Sequence, residues 1–134
     1  MEHGGRVIVC DDTPQIRQLI RVNLELEGYD VEEVADGQEL LDELDAAGTL
    51  PGVVTLDAHM SPRDGWWAIA QIRADERLAA IPVVMVTASV QHHDRVQARA
   101  SGFDAFVSKP FDPDDLVTLV HGFMAEGRAY QAQS

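Results

Sequence analysis

Five short apolar runs recur along the chain, at Arg6–Cys10, Asp30–Val34, Val53–Leu56, Pro82–Val86 and Asp104–Val107. Each is rich in β-branched residues or bounded by turn residues, which predicts strands. The runs at 53–56 and 82–86 are continuously apolar, as strands covered on both faces are, whereas the mixed run at 30–34 suits a sheet edge. Between the runs the apolar period changes to that of a helix. Pro14–Glu27 predicts the first helix: Pro14 stands where a helix tolerates a missing N–H, Gly28 stops it, and Ile16, Leu19, Ile20 and Leu24 form its buried stripe. The second spans Gln38–Ala47, with Leu40, Leu41 and Leu44 inward, ahead of Gly48 and a Pro51-Gly52 turn. The third begins after Gly65 and carries Trp66, Ile69 and Ile72. The fourth, Gln91–Ala100, has Val96 as its only large aliphatic residue, so a weak hold on the sheet is expected. The fifth, Pro113–Glu126, aligns Leu116, Leu119, Val120 and Phe123, with Val117 and Met124 broadening the stripe. A wide core stripe is the simpler reading of that breadth, and a partner surface is the alternative. Strand–helix alternation repeated five times is the signature of an α/β fold with a doubly wound parallel sheet.

The 134 residues accommodate one domain, read as residues 1–127, followed by a polar tail at 128–134. A hydrophobic fraction of 46% with 25% charged residues is that of a folded protein. The formal charge of −13 argues against direct binding of nucleic acid or anionic membranes, which requires clustered Lys and Arg. Cys10 stands alone and reads as a small buried hydrophobe. Residues 1–10 lack the charged start and apolar stretch of a signal peptide, and no apolar run approaches the roughly 20 residues needed to span a bilayer. A cytoplasmic location and no membrane insertion are therefore expected.

In an open parallel sheet the reactive crevice lies beyond the carboxyl ends of the strands. Asp11-Asp12, Asp57, Thr87 and Lys109 each stand at such an end, on four different predicted strands. A lone Asp at a strand end is most often a helix cap or turn residue. Asp57 lacks that exit, because the next helix starts only after Asp64-Gly65, itself a turn dipeptide that makes Asp64 structural. Asp12 could cap the first helix. Adjacent acids facing a third raise one another's pKa unless a cation resolves the conflict. Hard oxygen donors without a His or Cys cluster point to Mg²⁺ or Mn²⁺. The imidazole of His59 alone is a poor case for a transition metal, and a backbone carbonyl from its loop suits Mg²⁺ better.

VIVCDD at 7–12, LDAHMSPRDG at 56–65, VMVTA at 84–88 and FVSKPF at 106–111 together resemble the motif set of bacterial response-regulator receiver domains, in order, spacing and strand position. The resemblance covers about residues 6–127 and is nearest to single-domain, chemotaxis-regulator-like receivers. It implies a three-layer flavodoxin-like fold with strand order 2-1-3-4-5. It further implies a two-component or phosphorelay signalling role, in which Asp57 accepts a phosphoryl group from a sensor histidine kinase or phosphotransfer protein. Asp11 or Asp12, Asp57 and the His59 carbonyl would hold the metal, and Lys109 would pair with the phosphoryl group. The Lys109-Pro110 bond of similar proteins is cis. Thr87 and Phe106 would form the switch, for which Phe106 has the alternative of a simple core aromatic. The fourth helix, fifth strand and fifth helix would present the surface read by an effector protein or a second copy. Such a domain assists its own phosphorylation and slow dephosphorylation without being a turnover enzyme.

Some positions depart from the family pattern. Pro62 follows Ser61 rather than standing directly after Met60, and His59 and Ser89 lie two residues beyond Asp57 and Thr87, positions that in similar proteins influence how fast water attacks the acyl phosphate. Trp66 and Trp67 open the third helix, where at least one is expected to pack. A Mg²⁺-dependent phosphohydrolase with an aspartyl nucleophile is the rival reading, although enzymes resembling the haloacid dehalogenases place an acid where His59 stands. A flavin-binding domain would need an anion loop where Asp11-Asp12 lies. A phosphorylation-independent scaffold, or a fragment of a longer regulator with a DNA-binding or enzymatic output domain, completes the alternatives.

Overall fold

The computed structural model describes residues 5–46, 48–88 and 92–131, with the side chains of 92 and 93 left aside. The strands are β1 (Arg6–Cys10), β2 (Asp30–Val34), β3 (Val53–Leu56), β4 (Val83–Thr87) and β5 (Ala105–Ser108). The helices are α1 (Pro14–Glu25), α2 (Gly37–Ala46), α3 (Gly65–Ala74), α4 (His92–Ser101) and α5 (Pro113–Glu126), followed by a 3₁₀ turn at Gly127–Ala129. All strand pairs are parallel, in the order β2-β1-β3-β4-β5. The expected doubly wound sheet of order 2-1-3-4-5 is thus the observed one, with the mixed β2 at an edge.

Period-two alternation divides the core between the two faces of the sheet. Ile8, Cys10, Val54, Leu56, Val83 and Met85 point toward α2, α3 and α4, joining Leu40, Leu44, Ile69, Ile72 and Ala98. Val7, Val9, Val53, Val84, Val86 and Val107 point toward α1 and α5, joining Ile20, Leu24, Leu116, Val120 and Phe123. No helix of the described residues is long and apolar enough to cross a membrane.

Some expectations change. On α1 the buried contacts are Ile20 and Leu24, while Leu19 is 40% exposed on the flank of the stripe. On α4 the large aliphatic residue is not the anchor: Val96 is 58% exposed, and among the described side chains of the helix Ala98 is the one fully buried. A methyl group buries far less area than a valine side chain, so α4 is held even more lightly than its sequence suggests. On α5, Leu116, Val120 and Phe123 are buried, in keeping with a core stripe, whereas Leu119 lines an open groove of about 700 Å³ with Phe106, Phe111 and Tyr130. Ala47 and Gln91, expected as helix ends, lie outside the described residues.

The segment after α5 is more than a polar tail. Tyr130 stands edge-on to Phe123, with centroids 5.0 Å apart, over Gly122, where a Cβ would come within 2.2 Å of its ring. Arg128 Nε donates to Asp104 Oδ1 at 2.9 Å. Asp104 also accepts from Arg73 Nη2 at 2.9 Å, and the same guanidinium donates to the carbonyls of Gly102, Ala79 and Ile81. This clasp closes the edge of the sheet opposite the strands' carboxyl ends.

Candidate functional site

The hydrogen-bond ladder continues beyond the last residues of the strands and sets the site in register. Asp11 N–H donates to the Val34 carbonyl at 3.2 Å, Asp57 N–H to the Cys10 carbonyl at 3.0 Å, and Lys109 N–H to the Thr87 carbonyl at 2.8 Å. Asp11, Asp57 and Lys109 therefore converge because neighbouring strands end level with one another. The Lys109-Pro110 peptide bond is cis, as is Ser61-Pro62, which the sequence reading did not anticipate.

Gly65 fixes the loop after β3. A Cβ at this position would lie 2.3 Å from the Asp57 carbonyl oxygen, and Gly65 N–H donates to the Ala58 carbonyl at 3.1 Å. Only the absence of a side chain lets α3 start this close to Asp57. Asp64 is structural as expected, its carboxylate capping α3 through the Trp67 N–H at 2.9 Å.

The three carboxylates come together. Asp11, Asp12 and Asp57 each offer an oxygen, all within 4.8 Å of one another. Asp11 is 1% and Asp57 4% exposed, while Asp12 faces solvent. Lys109 Nζ lies 2.8 Å from Asp11 Oδ2 and 3.3 Å from Asp57 Oδ2. Its closer hold on Asp11 has no counterpart in the sequence reading, because a pair 98 positions apart leaves no local pattern. Asp11 Oδ1 accepts from Thr13 N–H at 2.9 Å, and Asp57 Oδ1 accepts from His59 N–H at 3.1 Å.

The charges are not balanced. Three carboxylates against one ammonium leave two negative charges in a largely buried cluster. Burial raises the Asp57 carboxyl above the ordinary carboxylate range and Asp11 adds to the rise, against the lowering effects of the His59 N–H and Lys109. Burial alone would lower the Lys109 ammonium, yet the bond to Asp11 and the charges of both acids raise it overall. A divalent cation among these hard oxygen donors would cancel the remaining charge, so the residues fit the metal that their pattern suggests. Cys10, one residue before Asp11, is buried and its thiol is pushed far up, first by burial and then by nearby carboxylates. It is inert, as expected of a small core hydrophobe.

Thr87 ends β4 with a buried hydroxyl that has no hydrogen-bond partner. By alternation Thr87 and Phe106 lie on one face of the sheet, since Met85 pairs with Phe106 and Thr87 with Ser108. Phe106 is half-buried, and the Arg99 guanidinium of α4 lies over its ring, 5.2 Å from the centroid. That partner could not be read from the sequence, where Arg99 is one charge on a polar helix. His59 is exposed. It borders a pocket of about 320 Å³ with Ala58, Trp66, Met85, Asp94 and Gln97. Trp66 packs edge-on against Phe103 at 5.7 Å, and Trp67 lies under the Arg63 guanidinium at 4.8 Å, so both tryptophans have packing roles. Ser89 falls outside the described residues.

The profile of the response regulator receiver domain matches residues 7–121. The chain belongs to that family. This receiver domain is 36% identical over 119 residues to the DNA-binding dual master transcriptional regulator RpaA of Synechocystis, covering 89% of this chain and 48% of that protein. An uncharacterized 14.6 kDa protein of Leptolyngbya boryana is 33% identical over 117 residues, 87% of this chain and 88% of its own length. The chain spans about half the length of most of the curated relatives it matches, several of which are named as transcriptional regulators. Among solved structures, the chemotaxis response regulator CheY4 of Vibrio cholerae superposes with a TM-score of 0.80 at 28% identity, covering 87% of this receiver and 95% of that chain. The receiver domain of the Francisella response regulator 1452 gives 0.83 at 26% identity, covering 90% and 97%. As a receiver domain of two-component systems, the chain has the signalling class that its four motifs imply.

Proposed function

We propose that this receiver accepts a phosphoryl group on Asp57 from a phosphohistidine of a sensor kinase or phosphotransfer protein in the cytoplasm. The observation that carries the reading is a buried Asp57 carboxylate at the end of β3, with Lys109 Nζ at 3.3 Å and Asp11 within reach of the same point. An Asp57 oxygen forms the new bond to phosphorus as the bond to the imidazole nitrogen breaks, and the electron pair and a proton end on the departing imidazole. Asp11, Asp12, Asp57 and the His59 carbonyl would hold Mg²⁺, or Mn²⁺, which supplies positive charge to the acceptor and phosphoryl oxygens. Lys109, already between Asp11 and Asp57, is placed to pair with the incoming phosphoryl oxygens as a point charge.

The Thr87 hydroxyl, buried without a partner, would donate to a phosphoryl oxygen and draw in the start of the following loop. Phe106 would turn inward in response, altering the surface of α4, β5 and α5 for an effector protein or a second copy. The domain assists its own phosphorylation and slow dephosphorylation and is not a turnover enzyme. Intact-mass measurement after incubation with acetyl phosphate and Mg²⁺ tests the reading. A gain of about 80 Da, one phosphoryl group, is expected, with none when EDTA replaces Mg²⁺. Repeated turnover of a small phosphomonoester would favour the phosphohydrolase instead.

A further inference from the structure

We propose that Arg99 is a positioning residue for the switch, holding Phe106 in its outward setting through the face of its ring. The inference rests on the reading of Phe106 as the switch aromatic and adds the group that sets its resting equilibrium. The Arg99 guanidinium carbon lies 5.2 Å from the Phe106 centroid, within the distance at which a cation is attracted to a ring face. Arg99 is exposed, and the half-buried Phe106 lines the groove between β5 and α5. The ring therefore sits between a solvent-side cation and the sheet.

Open space lies on the inward side. Met85, the register partner of Phe106 on the neighbouring strand, borders a pocket of about 320 Å³ that Trp66, Asp94 and Gln97 also line. Thr87, on the same face, has a buried hydroxyl with no partner, so its rearrangement breaks no hydrogen bond. A ring that turned toward Met85 and Thr87 would leave the Arg99 guanidinium. The cation thus favours one of two settings, and only such a differential contact can bias an equilibrium. Because α4 is anchored through Ala98, the arginine that touches Phe106 rides on a lightly held helix. A partner that moved α4 or covered Arg99 would release the ring, coupling the binding surface to the phosphorylation site.

The test is ¹⁹F NMR of the full chain labelled with 4-fluorophenylalanine, with the Phe106 resonance assigned by its loss in Phe106→Leu. Wild type, Arg99→Gln and Arg99→Lys are compared with and without beryllofluoride and Mg²⁺. The wild-type Phe106 resonance is expected to move when the phosphoryl analogue binds. In Arg99→Gln without the analogue it should already be displaced in that direction. The inward population should rise about two- to fivefold, the factor an exposed cation–π contact is worth. The apparent affinity for beryllofluoride should tighten in step, since the coupling is reciprocal. Arg99→Lys, which keeps a cation, should stay near wild type. If wild type responds to the analogue but Arg99→Gln starts from the wild-type position, Arg99 has no such role. Equal displacement in Arg99→Gln and Arg99→Lys would assign the effect to packing of the side chain and overturn the charge argument. If the wild-type resonance does not respond at all, the switch reading of Phe106 fails and the role of Arg99 falls with it.

Discussion

Replacing Asp57 with Asn should make the metal-free protein more stable, although it removes the residue on which the proposed function depends. The Asp57 carboxylate shares its site with Asp11 and Asp12, whose oxygens lie within 4.8 Å of it, and with Lys109 Nζ at 3.3 Å. At an effective dielectric constant of about 20, the buried Asp11 repels Asp57 by about 3.5 kcal/mol and Lys109 attracts it by about 5 kcal/mol, while solvent screens the exposed Asp12. Burial of the carboxylate is the largest cost and, with the repulsion by Asp11, outweighs the bond from the His59 N–H and the attraction of Lys109, because the carboxyl is raised overall, and each unit of such a rise is worth about 1.4 kcal/mol. Removal of the charge should therefore stabilise the fold by about 1–2 kcal/mol, a rise of several degrees in Tm. The pH dependence has a definite sign. Because the folded pKa of Asp57 is raised, the penalty is absent below the unfolded carboxylate pKa, sets in as pH rises through the folded value, and is full at neutral pH. The advantage of Asp57→Asn should accordingly be largest near pH 7 and vanish near pH 3. Mg²⁺ should reduce it, since a cation bound to the native state stabilises wild type by about 2.7 kcal/mol at a hundredfold excess over Kd. The assay is urea unfolding in EDTA and in Mg²⁺ across pH. A variant no more stable than wild type in EDTA at pH 7 would refute the frustrated-cluster argument.

Three further outcomes follow from the geometry. Thr87→Val replaces a partnerless buried hydroxyl with a methyl group of the same shape, so stability should rise by about 1 kcal/mol in urea unfolding. In the same variant, the displacement of the Phe106 resonance by beryllofluoride should be lost. Arg73→Met leaves the Gly102 and Ile81 carbonyls without their side-chain donor, the Ala79 carbonyl keeping Arg128, and removes one of the two cations on Asp104, so a loss of about 3–5 kcal/mol is expected by the same assay. Gly65→Ala forces a Cβ against the Asp57 carbonyl, which should cost about 1–3 kcal/mol and slow labelling by acetyl phosphate, because the acceptor's backbone must shift.

The sheet was legible because its signals are local and redundant. Continuous apolar runs at 53–56 and 82–86 suit strands covered on both faces, and the mixed run at 30–34 suits an edge, as β3, β4 and β2 turn out to be. The convergence of Asp11, Asp57 and Lys109 followed from the level ends of parallel strands, which the motifs mark. The helix faces were less legible where composition replaced periodicity. Leu19 and Val96 are large and apolar yet exposed, because α1 is anchored through Ile20 and Leu24, and α4 through the small Ala98. Long-range pairings were invisible for a different reason. Lys109 with Asp11, Arg99 with Phe106 and Arg73 with Asp104 join residues whose spacing carries no period, so only the folded chain reveals them. Tyr130 belongs with these, since nothing in a short polar segment announces that its aromatic ring covers Gly122.

The most direct measurement is the location of the phosphoryl group itself. Acyl phosphate formed with acetyl phosphate and Mg²⁺ can be reduced with borohydride, which converts the modified aspartate to homoserine, and the converted position read by tandem mass spectrometry. Conversion at residue 57 alone is expected, with none in Asp57→Asn. Conversion at Asp11 or Asp12, or a phosphoryl adduct that persists in Asp57→Asn, would contradict the account.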